Sequence, residues 1–378
     1  MAVFVNDQTT PAKRFPLKEA EAEYTLYESD QEAEVTITLM KYSEVEYAKC
    51  LIKEIITDSD TLLAPPQQKK RKMLIIGDSI TCGFGVEGDV EDEIFCTAKE
   101  NPSKAYSLLT AQELEAEYQI VAWNGKGVIS AYIGEEGDEP DPQWRLPFLY
   151  DYTDGGSEQD YYKKEEKDWE KWNHQSYQAD IVTVYLGTND ASYTREIPQR
   201  DQEFIDAYKL FLGRIHQTQP QAAILCMLGT MDQRLCPATK RAVEEYAKNH
   251  KEVQIEYLEL PAQSEEDGLG TFWHPTAITH RKVADKVVAK IKNIKFLLIF
   301  SIQKFWTKSR SSSDHLPELC FTHDFFKENQ VKNLRHIDSR IQHIYRNSDL
   351  RHFFRIRKFV NRTLGICHII INYFCIIR

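Results

Sequence analysis

The stretch Met73–Gly85, MLIIGDSITCGFG, is an apolar run that stops abruptly at Gly77-Asp78-Ser79. A serine presented on a turn at a strand's end can act as a nucleophile. It needs a base to take its proton and donors to receive the oxyanion. The same residues also fit a plain strand followed by a loop, so the rest of the chain has to decide. The base in such sites is usually a histidine. Before residue 301 there are five: His174, His216, His250, His274 and His280. His216 and His250 fall late in amphipathic segments, where attraction to a helix C-terminus explains them. His174 sits in an acidic stretch, and His280 reads as a structural residue inside a helix. His274 stands in DGLGTFWHPTAITH, a loop followed by Pro275, a residue suited to the first turn of a helix. It is the candidate base.

Two further stretches offer donors. VAWNGKGV and VYLGTND each place small residues and a side-chain amide where an apolar run ends. Gly125 or Gly127 allows a substrate close to the backbone, because glycine carries no Cβ. The amide of Asn189 can donate as well.

The elements that must position these residues read as α/β. Apolar runs predict strands at Met73–Ile76, Tyr118–Ala122, Ile181–Leu186, Ala222–Leu228 and Val253–Leu258. Between and after them the spacing predicts helices over Ser103–Glu117, Asp201–Gln217, Pro237–Asn249 and Pro275–Ile291, the first with Ser103 as its N-cap. Alternating strands and helices imply a parallel five-stranded sheet covered on both faces. Sites in such sheets lie beyond the carboxyl ends of the strands, where Ser79 falls.

Residues 1–66 read as a small all-β piece, a partial β-sandwich of jelly-roll type. Val35, Ile37 and Leu39 alternate with Thr36, Thr38 and Met40. Residues 67–72 form a basic linker, and 73–293 the α/β domain. An insertion at Glu135–Gln175, rich in Asp, Glu, Trp and Tyr, is either a functional loop or a solvated one. Residues 294–378 form a basic tail of uncertain structure, with 14 Lys and Arg against 6 Asp and Glu after residue 300. The tail fits a partner-binding extension or a sequence that adds nothing to the fold.

The net charge of −11 argues against nucleic-acid binding as the main business. The eight cysteines show no zinc-ligand or disulfide-framework spacing, so no metal site is expected. The start lacks a secretion signal and no apolar run is long enough to span a membrane. Taken as it stands the chain reads as cytoplasmic.

The series GDSIT, NGKG, GTND and HP, each at a strand end, resembles the GDSL/SGNH hydrolase superfamily over roughly residues 72–293. KYSEVEYAK, GDSITCGFGVEG, LPFLYDYTD and WHP look closer still to carbohydrate esterase family 2. The resemblance implies a β-sandwich joined to a three-layer SGNH domain, and removal of acetyl groups from xylan or a related glycan without a cofactor; if the sandwich is truncated at its start, it also implies an extracellular place. Ser79 would be the nucleophile and His274 the general base. The Ser79 N–H, a glycine N–H and Asn189 would form the oxyanion hole; Gly125 is the favoured glycine, with Gly127 close behind. Trp273, Asp78 and Trp144 would contact the substrate. Trp169 and Trp172 read better as packing residues. The superfamily usually has an Asp three residues before its histidine, where this chain has Thr271; a backbone carbonyl would then orient His274. Two other readings remain: a different SGNH short-chain ester hydrolase, and a glycan-binding module without turnover.

Overall fold

The computed structural model describes residues 1–294 except 32, 48, 59–62, 65, 135, 161 and 162, together with two short strands at 352–356 and 369–373. Five parallel strands form the central sheet. They are β6 (Arg71–Gly77), β7 (Ala116–Ala122), β8 (Ile181–Tyr185), β9 (Ala223–Leu228) and β10 (Ile255–Glu259), numbered after five earlier strands given below. Their spatial order is β10-β9-β8-β6-β7. The central strands β8 and β9 are buried along their whole length, which is why they read as unbroken apolar runs rather than alternating ones.

From β6 the chain crosses outward to β7, and from β8 it crosses the opposite way to β9 and β10. Right-handed crossovers in opposite directions put their helices on opposite faces. Helix α2 (Tyr106–Glu113) accordingly packs with α8 (Ala277–Asn293), and α6 (Pro198–Thr218) with α7 (Cys236–Asn249). Four shorter helices are α1 (Ser79–Cys82), α3 (Leu146–Leu149), α4 (Gly155–Asp160) and α5 (Ala191–Thr194). The sheet thus has the parallel five-stranded order expected. Its switch point lies between β6 and β8, where Ser79 and Asn189 leave adjacent strands.

Three helix starts differ from the sequence reading. Ser103 is not the N-cap of α2. Ala105 holds the N-cap position of α2, without a side-chain bond. Ser103 lies inside a preceding 3-10 turn, Pro102–Lys104, whose own N-cap is Asn101, its Oδ1 accepting from the Ser103 N–H at 3.0 Å and the Ser103 hydroxyl at 2.6 Å. Helix α6 begins earlier than expected because Pro198 supplies its first turn. Helix α8 begins after Pro275, whose residue bridges to Leu269 instead.

The first strands are β1 (Ala2–Val5), β2 (Lys13–Arg14), β3 (Glu21–Tyr24), β4 (Val35–Met40) and β5 (Cys50–Ile55). Strand β1 pairs antiparallel with β2 and β4. Val35, Ile37 and Leu39 of β4 share one buried cluster with Val3 and Leu26, as their alternation predicts. The tail strands β11 (His352–Ile356) and β12 (Ile369–Tyr373) lie parallel to β3 and β5, and to β4. The rest of the tail lies outside the described residues. Residues 1–293 fall in one compact unit. Within it Tyr42 meets Ser103 at 3.1 Å and Arg14 pairs with Glu87 at 3.3 Å. Among the described residues no helix is long and apolar enough to cross a membrane.

Candidate active site

Ser79 follows β6 on a turn that folds α1 back over the strand's end. Gly77 permits this, since a Cβ there would overlap the Thr81 side chain. Asp78 caps α1, its Oδ1 accepting the Ile80 N–H at 3.0 Å, and Gly83 closes the helix in the left-handed region at φ 76°. The Ser79 Oγ lies 2.9 Å from Nε2 of His274, with both residues almost wholly buried.

The loop before His274 is shaped by two non-glycine residues in the left-handed region, Phe272 at φ 54° and Trp273 at φ 62°. Such conformations cost on the order of 1–3 kcal/mol each and persist only where surroundings enforce them. Here the Thr271 N–H donates to the Gly85 carbonyl at 3.1 Å and the Gly270 N–H to the His274 carbonyl at 2.7 Å. The strained turn brings two carbonyls to Nδ1 of His274, Thr271 at 3.0 Å and Phe272 at 3.2 Å. Carbonyls only accept, so Nδ1 carries the proton and Nε2 offers its lone pair to Ser79. Burial lowers the His274 pKa to about 4, against a smaller opposing pull from the two carbonyls. The imidazole is therefore neutral at pH 7.

Asn189 leaves the end of β8. Its amide donates to the Lys126 carbonyl at 3.0 Å and, at the outer edge of hydrogen-bonding distance, to Asp78 Oδ2 at 3.4 Å. The next residue, Asp190, is wholly buried and accepts the N–H groups of Val128, Ile129 and Ser130 between 2.7 and 3.1 Å. Gly125, the favoured oxyanion glycine, and Gly127, the second choice, differ here. Gly127 packs on Asp190 and the Ser130 carbonyl, which a Cβ would strike, whereas Gly125 sits at φ 71° with open space on its Cβ side.

Residues 75–282 match the GDSL-like lipase/acylhydrolase family. The chain belongs to that family. A cellulase/esterase, CelE of Acetivibrio thermocellus, is 30% identical over 239 residues, which make up 62% of this chain and 27% of that protein. The chain thus spans about a quarter of that relative's length. An acetylxylan esterase / glucomannan deacetylase of Cellvibrio japonicus is 27% identical over 270 residues, 71% of this chain and 70% of its own. Among solved structures, a family two carbohydrate esterase from Clostridium thermocellum in complex with cellohexaose matches with a TM-score of 0.52. The identity is 30%, over 62% of this chain and 67% of that one.

In this GDSL-family chain the structure brings Ser79, His274, Asn189 and Gly125 to one edge of the sheet, and it buries or packs other expected site residues. Asp78 is 0% exposed and lies behind the nucleophile as a helix cap, so it is placed to support the site and not to touch substrate. Burial pushes its pKa up to about 7. Trp144 is half-buried in an aromatic group with Trp169, 5.2 Å between ring centroids, and with Phe148. Packing accounts for it, and for the buried Trp169. Trp273 is 60% exposed beside His274 and remains a candidate sugar platform. His280 is buried and accepts the Tyr106 N–H at 3.1 Å, the structural role expected. His174 pairs with Asp151 at 3.0 Å inside the insertion.

Several residues of the site escaped the sequence reading. Phe84 walls the base, its ring 4.6 Å from that of His274 and stacked on Phe95 at 3.8 Å. Asp92 accepts the Thr271 hydroxyl at 2.7 Å and pairs with Lys99 at 2.6 Å, the lysine chiefly holding its pKa down near about 2. Asp190 closes the GTND block and was available to be noticed there. Among the described residues one group has side chains that would suit a metal ion: Glu44, Cys82 and Glu100, all buried, with ligand atoms within 4.8 Å of each other. One Glu44 oxygen is already committed to a backbone N–H, as set out below.

Proposed function

We propose that this chain is a serine esterase that removes O-acetyl groups from plant cell-wall polysaccharide, xylan or a related glycan, through an acetyl-Ser79 intermediate. The observation that carries this reading is the 2.9 Å approach of Ser79 Oγ to a neutral His274 whose Nδ1 is held by carbonyls. The names of the relatives supply the substrate class.

Ser79 Oγ attacks the acetyl carbonyl carbon while its proton passes to Nε2 of His274. The carbonyl oxygen becomes the oxyanion, received by the N–H groups of Ser79 and Gly125 and by the Asn189 amide, which exchanges its long contact with Asp78 for it. Each such donor is worth about 10²–10³ in turnover. The bond to the sugar oxygen then breaks, and that oxygen leaves with the proton from His274. Water attacks the acetyl-enzyme, giving its proton to His274. Acetate departs and Ser79 regains its proton. The Thr271 and Phe272 carbonyls stabilise the transient imidazolium, the work that a carboxylate performs in a triad. Trp273 offers its exposed face to a sugar ring.

Acetate release from acetylated xylan, acetylated glucomannan and p-nitrophenyl acetate, by the wild type and Ser79→Ala, tests this. Release from a glycan, abolished by the substitution, is expected. Turnover of the small ester alone would move the substrate away from glycans. A folded protein that binds glycan and releases nothing would replace the esterase with a binding module.

A further inference from the structure

Glu44 belongs to the first sixty-six residues and carries none of the four motif blocks, yet it reaches the catalytic edge. It is 0% exposed. Its Oε2 accepts the Asn124 N–H at 2.6 Å, and Asn124 immediately precedes Gly125. The Glu44 backbone is itself held in place. The Glu44 N–H donates to Glu100 Oε1 at 3.1 Å, Glu100 is buried, and Lys41 Nζ donates to the Glu44 carbonyl at 2.7 Å. At the other end of the same loop Asp190 gathers the N–H groups of residues 128–130. The loop from Asn124 to Ser130 is therefore strung between two buried carboxyls, one from each part of the chain.

We propose that Glu44 is a positioning residue that aims the Gly125 N–H at the oxyanion, so that the N-terminal segment completes the catalytic site. This rests on the esterase reading of Ser79. Burying a carboxyl is costly unless it is satisfied, and an apolar residue here would leave the Asn124 N–H without an acceptor. The rest of the turn is held mainly through its carbonyls: that of Gly125 accepts the Tyr132 N–H at 2.9 Å, that of Lys126 the Asn189 amide at 3.0 Å, and the Lys126 N–H closes on the Trp123 carbonyl at 3.3 Å, while Gly125 adopts a left-handed conformation. Burial, and next the neighbouring Glu46, push the Glu44 pKa up to about 8. The protonated carboxyl still accepts through its second oxygen, and glutamine mimics it.

The test measures kcat and KM on p-nitrophenyl acetate, with thermal unfolding, for the wild type, Glu44→Gln, Glu44→Asp and Glu44→Ala. Glu44→Gln is expected to stay within about threefold of the wild type, because it keeps the acceptor. Glu44→Ala and Glu44→Asp, which withdraw it, should lower kcat about 10–100-fold with KM changed far less, as for loss of an interaction made only in the transition state. A folded Glu44→Ala with wild-type kcat would overturn the proposal. If that variant fails to fold, Glu44→Asp decides, and wild-type kcat there would overturn it equally. Turnover that survives Ser79→Ala would instead remove the esterase reading and this proposal with it.

Discussion

The Thr271 carbonyl meets Nδ1 of His274 at 3.0 Å, while the hydroxyl of the same threonine donates to Asp92 at 2.7 Å. The residue that stands where an aspartate is usual therefore orients the base through its backbone. Its side chain serves only to anchor the loop. Thr271→Val keeps the carbonyl and the volume and loses one hydrogen bond, typically worth about 1 kcal/mol. It should retain kcat/KM within about tenfold, whereas His274→Ala should lose about 10³-fold or more. Steady-state kinetics on p-nitrophenyl acetate check both. A thousandfold loss in Thr271→Val would shift the orienting role to the side chain.

The two glycines of NGKG should part under substitution. Gly125→Ala places a methyl in open space at a left-handed position, a strain of about 1–2 kcal/mol. The protein should fold with a modestly lower Tm and a reduced kcat. Gly127→Ala drives a methyl into Asp190 and the Ser130 carbonyl, loosening three N–H bonds at once. Its Tm should fall further than that of Gly125→Ala. Calorimetry beside kinetics separates them, and the reverse order of Tm loss would contradict the geometry.

Proton transfer from Ser79 needs His274 in its neutral form. Burial lowers its pKa to about 4, well under the ordinary histidine value of 6.5. Activity should thus rise with pH through an acid limb far below 6.5 and be level from there to neutrality. The profile of kcat/KM, which reports the free enzyme, is the measurement. A midpoint at or above 6.5 would mean that the imidazole is wetter than it is here. His280, buried beside it and also lowered, to about 3, adds a stability term of the same sign. That term is full above pH 6.5 and is lost as the pH falls from there toward the folded value.

Trp273 should affect polymer and small ester differently. Trp273→Ala removes an exposed ring beside the base and nothing from the proton relay. KM for acetylated glycan should rise several-fold, with kinetics on p-nitrophenyl acetate nearly unchanged. Equal losses on both would make the ring a support of the strained loop instead.

The candidate site was legible in the sequence because each block sits where an apolar run ends, so strand pattern and chemistry point to the same residue. GDSIT, GTND and HP delivered Ser79, Asn189 and His274 in that way. Asp78 reads as a ligand in the sequence and stands as a buried cap in the structure, because a cap and a ligand draw on the same residue types. Trp144 misled for a similar reason, since a tryptophan near a site packs as readily as it stacks. The start of α2 slipped past Ser103 to Ala105 because Asn101, an equally good cap, opens a 3-10 turn that takes in Ser103 and ends where the helix begins. Glu44 was out of reach for a different reason: it lies 80 residues from the backbone group that it holds, and no local pattern encodes such a pairing.

The loop strung between Glu44 and Asp190 bears on how this protein can be cut and recombined. A fragment starting at the linker would inherit the four blocks GDSIT, NGKG, GTND and HP, and it would still lack one of the two posts that keep the oxyanion loop taut. The front segment is in that sense a part of the machine and not cargo attached to it. Exchanging it for another β-module would have to deliver a buried acceptor to the same peptide before the nucleophile regained its full rate.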